Sequence, residues 1–249
     1  MNICVISNDH RYKVLSQLLR DIGFNLIEYA EENLHICDIL ILSIVNEYSD
    51  SELIKIGKLI KDNCLVFSGN GPKIEKLLER QVIDYSKDPY FLQKNAELTA
   101  EATICLIFSY TQKSLRGQRV LVAGYGRIGK ALCKILDFFG AEVFIYARRK
   151  EIQNEANSCG YMTVSLDGSL SYDIILNTVP SIIFTNEIIE SISDSTVLFE
   201  LASKPGGFEN TLRVVDGGRL PGRILPKSAS KIIFDTIIKH FPCEKGSLW

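Results

Sequence analysis

Three glycines, Gly124, Gly126 and Gly129, have the spacing of a phosphate-binding turn. They follow an apolar run that predicts a strand, and they open an amphipathic segment that predicts a helix. In such turns the glycines permit a tight bend, a close approach to a pyrophosphate and close helix–strand packing, respectively. The phosphates then lie at the positive end of the helix. This context predicts a dinucleotide site that includes Arg127 and Ile128; a glycine turn without a ligand is the alternative.

The residues that follow the next predicted strand bear on which dinucleotide would bind. Proteins that bind NAD usually place an acidic residue there, about 20 residues beyond the glycines, to accept from the ribose 2′-hydroxyl. Here the residues are Arg148, Arg149 and Lys150. A carboxylate would repel a 2′-phosphate, whereas a guanidinium binds it bidentately. We therefore predict NADP, with Arg148 and Arg149 on the 2′-phosphate; a solvated basic helix start is the alternative, and NAD stays possible.

A second group of residues is expected at the same edge of the sheet. Ligands of open parallel sheets bind outside the carboxyl ends of the strands. Thr178, Val179 and Pro180 directly follow an apolar strand-like run, and a Thr-x-Pro run in this position commonly flanks the nicotinamide ribose. We therefore predict that these three residues contact the cofactor.

Cationic residues occur in the loops that come later in the chain and are expected at this edge. They are Lys204, Arg219, Arg223 and Lys227. Such cations suit an anionic substrate, for example a dicarboxylate, although solvated loop charges explain them equally well. Arg11 follows the first predicted strand and is expected to reach toward a cleft.

The elements that position these residues alternate from end to end. Short Ile-, Leu- and Val-rich runs predict buried parallel strands at 2–7, 25–29, 38–43, 64–68, 82–84, 119–123, 142–146, 174–177 and 196–200. Amphipathic segments predict helices at 12–22, 51–62, 72–80, 88–112, 127–139, 151–158, 186–191 and 228–240. The alternation predicts an α/β fold with two lobes, each a mostly parallel sheet flanked by helices, the second a Rossmann-type dinucleotide-binding domain.

The long helix at 88–112 suggests where the lobes divide. We predict an N-terminal α/β lobe for substrate or partner at 1–95 and an NAD(P)-binding domain at 96–226 that includes this interlobe helix. A C-terminal helix and tail follow at 227–249. Glu101 would then lie on the interlobe helix, near the predicted cleft.

Composition excludes several classes of protein. The 249 residues suffice for two modest domains, and a net charge of −2 gives no general bias toward nucleic acid or anionic membranes. No apolar run approaches the roughly 18 to 20 residues of a membrane span, and the N-terminus lacks a signal-peptide pattern. Seven cysteines without a C-x-x-C pair predict mostly buried, reduced thiols and a cytoplasmic location. Three dispersed histidines predict no metal site.

Several of these runs together resemble the family formed by the first subunit of dipicolinate synthase. The similar runs are 95–104, 117–129, 177–181, 201–207 and 220–227. The similarity is clear from about residue 95 to the last helix. Before that it rests on Asp9, Arg11 and 67–69. The runs at 177–181 and 201–207 are more specific than the glycine motif, which many dehydrogenases share.

The resemblance implies oxidation of dihydrodipicolinate to dipicolinate, a product of sporulating bacteria, with NAD(P)⁺ as oxidant. It also implies a partner, the flavoprotein-like second subunit of that enzyme. Within that chemistry Glu101 is the candidate base, and Lys227 is a second candidate catalytic residue. Arg11, Lys204 and Arg223 are candidate ligands of the substrate carboxylates, a role that Lys227 would share.

Two other functions remain open, together with a homo-oligomeric state. A different two-lobed dehydrogenase, of the D-2-hydroxyacid type, would need a His acid/base supported by a carboxylate. Only His240 lies late in the chain, in the last predicted helix, which counts against that function. A non-catalytic NADP(H)-binding regulatory protein is the second alternative, and the first lobe, which is short against the family, favours it.

Overall fold

The computed structural model describes residues 1–44, 47–167, 170–210 and 212–241. The chain divides into two compact units. One contains Met1–Asn95 and the chain from Pro221 onward, and the other is Ala96–Leu220. Residues 221–226, which the sequence assigns to the dinucleotide-binding domain, therefore group with the first unit. Each unit contains one sheet, and all described strand pairings are parallel, which confirms the predicted α/β class.

The strands and helices are numbered separately in chain order. The strands are β1 Asn2–Ile6, β2 Asn25–Ile27, β3 Ile39–Leu42, β4 Leu65–Ser68, β5 Val82–Asp84, β6 Arg119–Ala123, β7 Glu142–Tyr146, β8 Met162–Val164, β9 Ile174–Asn177, β10 Val197–Glu200 and β11 Val214–Asp216. The helices are α1 His10–Asp21, α2 Glu31–Leu34, α3 Asp50–Leu59, α4 Gly71–Leu78, α5 Pro89–Thr111, α6 Arg127–Phe138, α7 Lys150–Ser158, α8 Asn186–Ser191, α9 Leu220–Ile224 and α10 Pro226–Ile237. None of these described helices is long and apolar enough to cross a membrane.

The sheet of the first unit has the strand order β2-β1-β3-β4-β5. All four residues of β3 are buried, as expected for a central parallel strand that is covered on both faces. One face packs against α1 and α10, where Leu15 and Ile233 share a core with Phe67. The opposite face packs against α3 and α4 through Leu53 and Ile74. The last helix thus belongs to the core of the first unit, which explains why the chain returns to it.

The sheet of the second unit has the order β11-β10-β9-β6-β7-β8. Its central strands β6 and β9 are almost wholly buried. Their carboxyl ends are adjacent, because Ala123 pairs with Asn177 in the register. The strand order reverses direction along the chain between these two strands, which is where ligands of doubly wound sheets bind. The glycine turn follows β6, so the fold places it at that point.

The sequence missed β8, β11, α2 and α9. The two strands have three residues each and lie at the two edges of the second sheet. Edge strands keep one side toward solvent, so no continuous apolar run marks them. The two helices have four and five residues, which is too short for an amphipathic period to appear.

The cysteines only partly follow the sequence prediction. Four of the six described cysteines are buried, and none of the six is in a disulfide. Cys105 and Cys159 are exposed, so the prediction of burial is wrong at these two positions. Both lie on helices or helix ends that face solvent, so their apolar neighbours in sequence did not predict their burial. Cys243 lies outside the described residues.

Candidate functional site

The first and third glycines of the turn are required by packing within the protein itself. Gly124 has a φ of +97°, and a Cβ there would lie 2.3 Å from Thr178 Oγ1. A Cβ on Gly129 would lie 2.1 Å from the carbonyl oxygen of Gly124. Both contacts are far inside van der Waals separation. A larger side chain on Gly129 would therefore push α6 away from the end of β6, and one on Gly124 would displace Thr178.

Gly126 has a different environment. Its φ is −84°, which any residue can adopt, and a Cβ there would meet nothing within 4 Å. It is the N-cap of the 12-residue helix α6, and it makes no side-chain capping bond. The first turn of α6, which includes Arg127 and Ile128, thus begins beside open space and has no side-chain cap. An uncapped helix N-terminus beneath open space fits a pyrophosphate.

The segment after β9 holds the turn from the other side. Thr178 donates to the carbonyl oxygen of Ala123 through its backbone N, at 2.9 Å, and through Oγ1, at 2.8 Å. The buried Asn177 side chain bonds the backbone of Val179 in both directions, at 3.0 and 3.1 Å. These bonds set Thr178 and Val179 directly beside Gly124, and Pro180 follows in an exposed position.

A cleft of about 590 Å³ opens beside the carboxyl end of β7. It is lined by Tyr146, Ala147, Arg148, Gln153, Thr163, Val164, Ser165, Leu166, Asp167, Ile183 and Ile188. The apolar members provide a surface for a planar base, and the volume is that of a small-ligand site. Arg148 is exposed at this cleft, and its Nη2 lies 3.5 Å from Ser181 Oγ. Arg149 is exposed as well, and it precedes α7 as an N-cap without a side-chain capping bond.

Glu200 organises the loop that follows β10, a role that the sequence did not reveal. Its carboxylate accepts hydrogen bonds from Asn177 Nδ2 at 2.7 Å, from the backbone N of Ala202 at 2.9 Å and from that of Gly207 at 2.7 Å. A Cβ on Gly207 would lie 2.3 Å from Asn177 Nδ2. The available signal was an acidic residue at the end of a buried strand, followed by a Gly-Gly pair. The loop also contains the exposed Lys204.

Arg11 lies in the first unit and is only 5% exposed. Its Nη2 lies 2.6 Å from Asp9 Oδ2, and its Nε donates to Asp9 Oδ1 at 3.0 Å. Burial opposes the charged form, but the hydrogen bond to Asp9 and nearby negative charge outweigh it, and the pKa of Arg11 is raised. A Cβ on Gly222 would lie 2.8 Å from Arg11 Nε, so this glycine lets α9 pack against the guanidinium. The guanidinium is therefore already neutralised by a carboxylate of its own chain.

The remaining predicted site residues are divided between the units. Arg223 on α9 and Lys227 in the first turn of α10 belong to the first unit, and both are exposed. Glu101 on α5 and Lys204 belong to the second unit, and both are exposed there. The structure thus brings the predicted cofactor residues together inside one unit, whereas the predicted substrate residues come from both. Among the described residues, no group of three or more His, Cys, Asp or Glu side chains could hold a metal ion.

Comparison with known proteins identifies a relative. Residues 96–194 match the NAD-binding domain family of D-isomer specific 2-hydroxyacid dehydrogenases. Over 191 residues the chain is 26% identical to the first subunit of dipicolinate synthase from Bacillus subtilis (strain 168). This chain is therefore similar to that dipicolinate synthase subunit. The alignment covers 71% of the chain and spans 64% of the length of that curated relative.

Solved structures share the whole fold. The same dipicolinate synthase subunit from Bacillus halodurans superposes with a TM-score of 0.82 at 21% identity, covering 96% of this chain and 97% of that one. Its counterpart from Bacillus subtilis gives a TM-score of 0.78 at 23% identity, with 96% and 95% covered. Salmonella D-lactate dehydrogenase gives 0.64 at 15% identity, with 99% and 98% covered. At these identities the likeness shows a common fold, and the Rossmann-like second unit is part of it.

Proposed function

We propose that this protein is an NADP-dependent oxidoreductase that oxidises dihydrodipicolinate to dipicolinate. One observation carries the proposal: the open turn at Gly126 and the cleft with Arg148 at its mouth lie at one sheet edge, in a homologue of a dipicolinate synthase subunit. The match of residues 96–194 to an NAD-binding domain supports a nicotinamide dinucleotide as the cofactor. The relative's name supports a dicarboxylate substrate, and it supports a partner in the form of a second subunit.

The choice of NADP over NAD rests on charge. Arg148 and Arg149 follow β7 where a carboxylate would accept from a ribose 2′-hydroxyl. Both are exposed, so their guanidinium groups are accessible to a phosphate from solvent. A 2′-phosphate carries up to two negative charges at neutral pH, and bidentate arginine contacts are among the stronger charge-assisted bonds.

The proposed reaction makes modest demands on the protein. A hydride leaves a ring carbon of the substrate and a proton leaves the ring, and the aromatic pyridine dicarboxylate results. The nicotinamide, when bound, supplies the hydride acceptor. The protein must orient the ring and balance the two substrate carboxylates, for which we assign Lys204, Arg223 and Lys227. Glu101 is the proposed acceptor of the proton.

Arg11 needs a different assignment. We predicted it as a ligand of the substrate, but its guanidinium is buried and paired with Asp9. A substrate carboxylate could bind this guanidinium only by displacing the Asp9 carboxylate from its close contacts with Nε and Nη2, which costs free energy. We therefore propose that Arg11 holds the connection between β1 and α1, and that it influences the substrate only through that connection.

The decisive experiment follows nicotinamide absorbance as NADP⁺ is mixed with freshly generated dihydrodipicolinate, with and without a candidate second subunit. Substrate-dependent reduction supports the proposal, and the comparison shows whether this chain suffices. Glu101→Gln should abolish turnover while NADP⁺ affinity stays unchanged, since its role is to accept a proton. Turnover at the wild-type rate would remove Glu101 from the mechanism.

The family match favours a second candidate, a 2-hydroxyacid dehydrogenase. Reduction of simple 2-keto acids by NAD(P)H, with no reaction of dihydrodipicolinate, would establish it. If NADP⁺ binds tightly but neither substrate reacts, a non-catalytic regulatory role describes the protein better.

A further inference from the structure

Ser181 lies next to Arg148, which is in the basic segment that follows β7. Its Oγ is 3.5 Å from Arg148 Nη2, a distance at the long limit for a hydrogen bond. An arginine can only donate, so a serine that meets it accepts, and the hydroxyl proton stays available for another group. A guanidinium and a hydroxyl at this separation are thus two donors that one anion placed beside them can engage together.

The segment that contains Ser181 is anchored on both sides. Before it, Thr178 makes two hydrogen bonds to the carbonyl oxygen of Ala123. After it, the backbone N atoms of Ile183 and of the next residue both donate to the carbonyl oxygen of Gly207 at 2.9 Å. Ser181 itself is half-buried. Because this segment is already ordered, binding of a ligand to the Ser181 hydroxyl costs little conformational entropy, and the hydrogen bond contributes more fully to affinity.

NADP differs from NAD only in the 2′-phosphate, which brings three strong acceptor oxygens. Arg148, after β7, supplies a charged group with several N–H donors, and Ser181, after β9, supplies a neutral donor beside it. We propose that Ser181 is a ligand of the 2′-phosphate and a determinant of the preference for NADP over NAD. This inference rests on the proposed cofactor, but it concerns a residue outside the basic segment, on a separate loop of the same unit.

The test is direct binding of NADP⁺ and NAD⁺ to the full-length protein by calorimetry, independent of turnover. Ser181→Ala should weaken NADP⁺ binding about tenfold, the lower end of the range for a lost bond to a charged group. It should change NAD⁺ binding by less than about twofold, because NAD lacks the acceptor. Ser181→Thr keeps the hydroxyl and should retain most of the preference for NADP⁺. The matched control is Ser158→Ala, an exposed serine at the end of α7 that should alter neither affinity.

The outcomes separate this inference from the proposed cofactor. If Arg148→Ala loses the preference for NADP⁺ but Ser181→Ala keeps it, Ser181 is not a ligand, while the cofactor proposal stands. If Ser181→Ala weakens both dinucleotides equally, the residue only maintains the loop, and the inference is overturned. If the wild-type protein binds NAD⁺ as tightly as NADP⁺, the cofactor proposal fails, and the inference fails with it.

Discussion

Two glycines of the same turn should respond in opposite ways to the same substitution. Gly126→Ala places a methyl group in open space, whereas Gly129→Ala places one 2.1 Å from the carbonyl oxygen of Gly124. The first change should leave the fold intact and weaken dinucleotide binding. The second should destabilise the second unit, because neither the carbonyl group nor the helix backbone can move without losing contacts.

The magnitudes follow from these contacts. Overpacking of this kind costs about 1–3 kcal/mol, and for a chain of this size each kcal/mol lowers Tm by about 2–4 °C. Gly129→Ala should therefore lower Tm by about 2–12 °C. Gly126→Ala should leave the free energy of unfolding within about 0.5 kcal/mol of wild type, or raise it slightly, because alanine has less backbone entropy to lose. Displacing a pyrophosphate from its amide donors should weaken NADP⁺ about ten- to hundredfold.

The assay pairs calorimetric unfolding without nucleotide with titration by NADP⁺. The nucleotide must be absent in the unfolding step, because a bound ligand raises apparent stability and would mix the two effects. Wild-type affinity in Gly126→Ala would show that no phosphate lies over this glycine. A loss of stability in Gly126→Ala as large as in Gly129→Ala would refute the claim that the space above it is open.

Three further predictions concern charged residues. Replacing Arg148 and Arg149 together by alanine should weaken NADP⁺ about ten- to hundredfold and leave NAD⁺ nearly unchanged, and NADP⁺ binding should lose much of its salt dependence; equal loss for both dinucleotides would argue against the assignment. Glu200→Gln should lower the free energy of unfolding in urea by about 1–3 kcal/mol, since the new amide would face a backbone N–H donor; an unchanged denaturation midpoint would contradict this. The pKa of Asp38 is lowered in the folded protein, mainly by the hydrogen bond from Lys61. The ionised carboxylate therefore stabilises the folded state at pH values above the pKa that Asp38 has in the unfolded chain, and this stabilisation is lost as the pH falls through the pKa of the folded state. Asp38→Asn should therefore lower Tm at neutral pH and converge with wild type in acid, and a constant difference across pH would exclude a charge effect.

The sequence predicted the position of the glycine turn between β6 and α6 because that feature is local. Gly124, Gly126 and Gly129 lie within six residues, and their context of strand and helix can be read from hydrophobic periodicity alone. Their register with β7 and β9 follows from the rules of parallel sheets, so the relative places of Arg148 and Thr178 were also predictable. Such a site needs no knowledge of distant contacts.

Other features depend on pairings that periodicity does not encode. The pairing of Arg11 with Asp9 requires a side chain to fold back by two residues, and it competes with a role in ligand binding. The three bonds to Glu200 join β9, β10 and a glycine pair into one network. Likewise, the sequence predicts α10 as part of a separate C-terminal segment, whereas its apolar face packs beside α1 in the core of the first unit. In each case tertiary packing determines which groups contact each other, and the local sequence pattern does not predict that packing.

Gly126 supports the proposed dinucleotide site because the folded chain itself does not need a glycine there. Glycine in an ordered position costs about 0.5–1 kcal/mol relative to alanine through the entropy of the unfolded chain. At Gly124 and Gly129 that cost is offset by close packing, because a side chain would collide with the protein. At Gly126 the backbone conformation suits any residue and no protein atom crowds the position, so the folded chain gains nothing from the glycine. We therefore propose that a group outside the chain approaches the backbone at this point, and the uncapped N-terminus of α6 favours an anion such as a pyrophosphate.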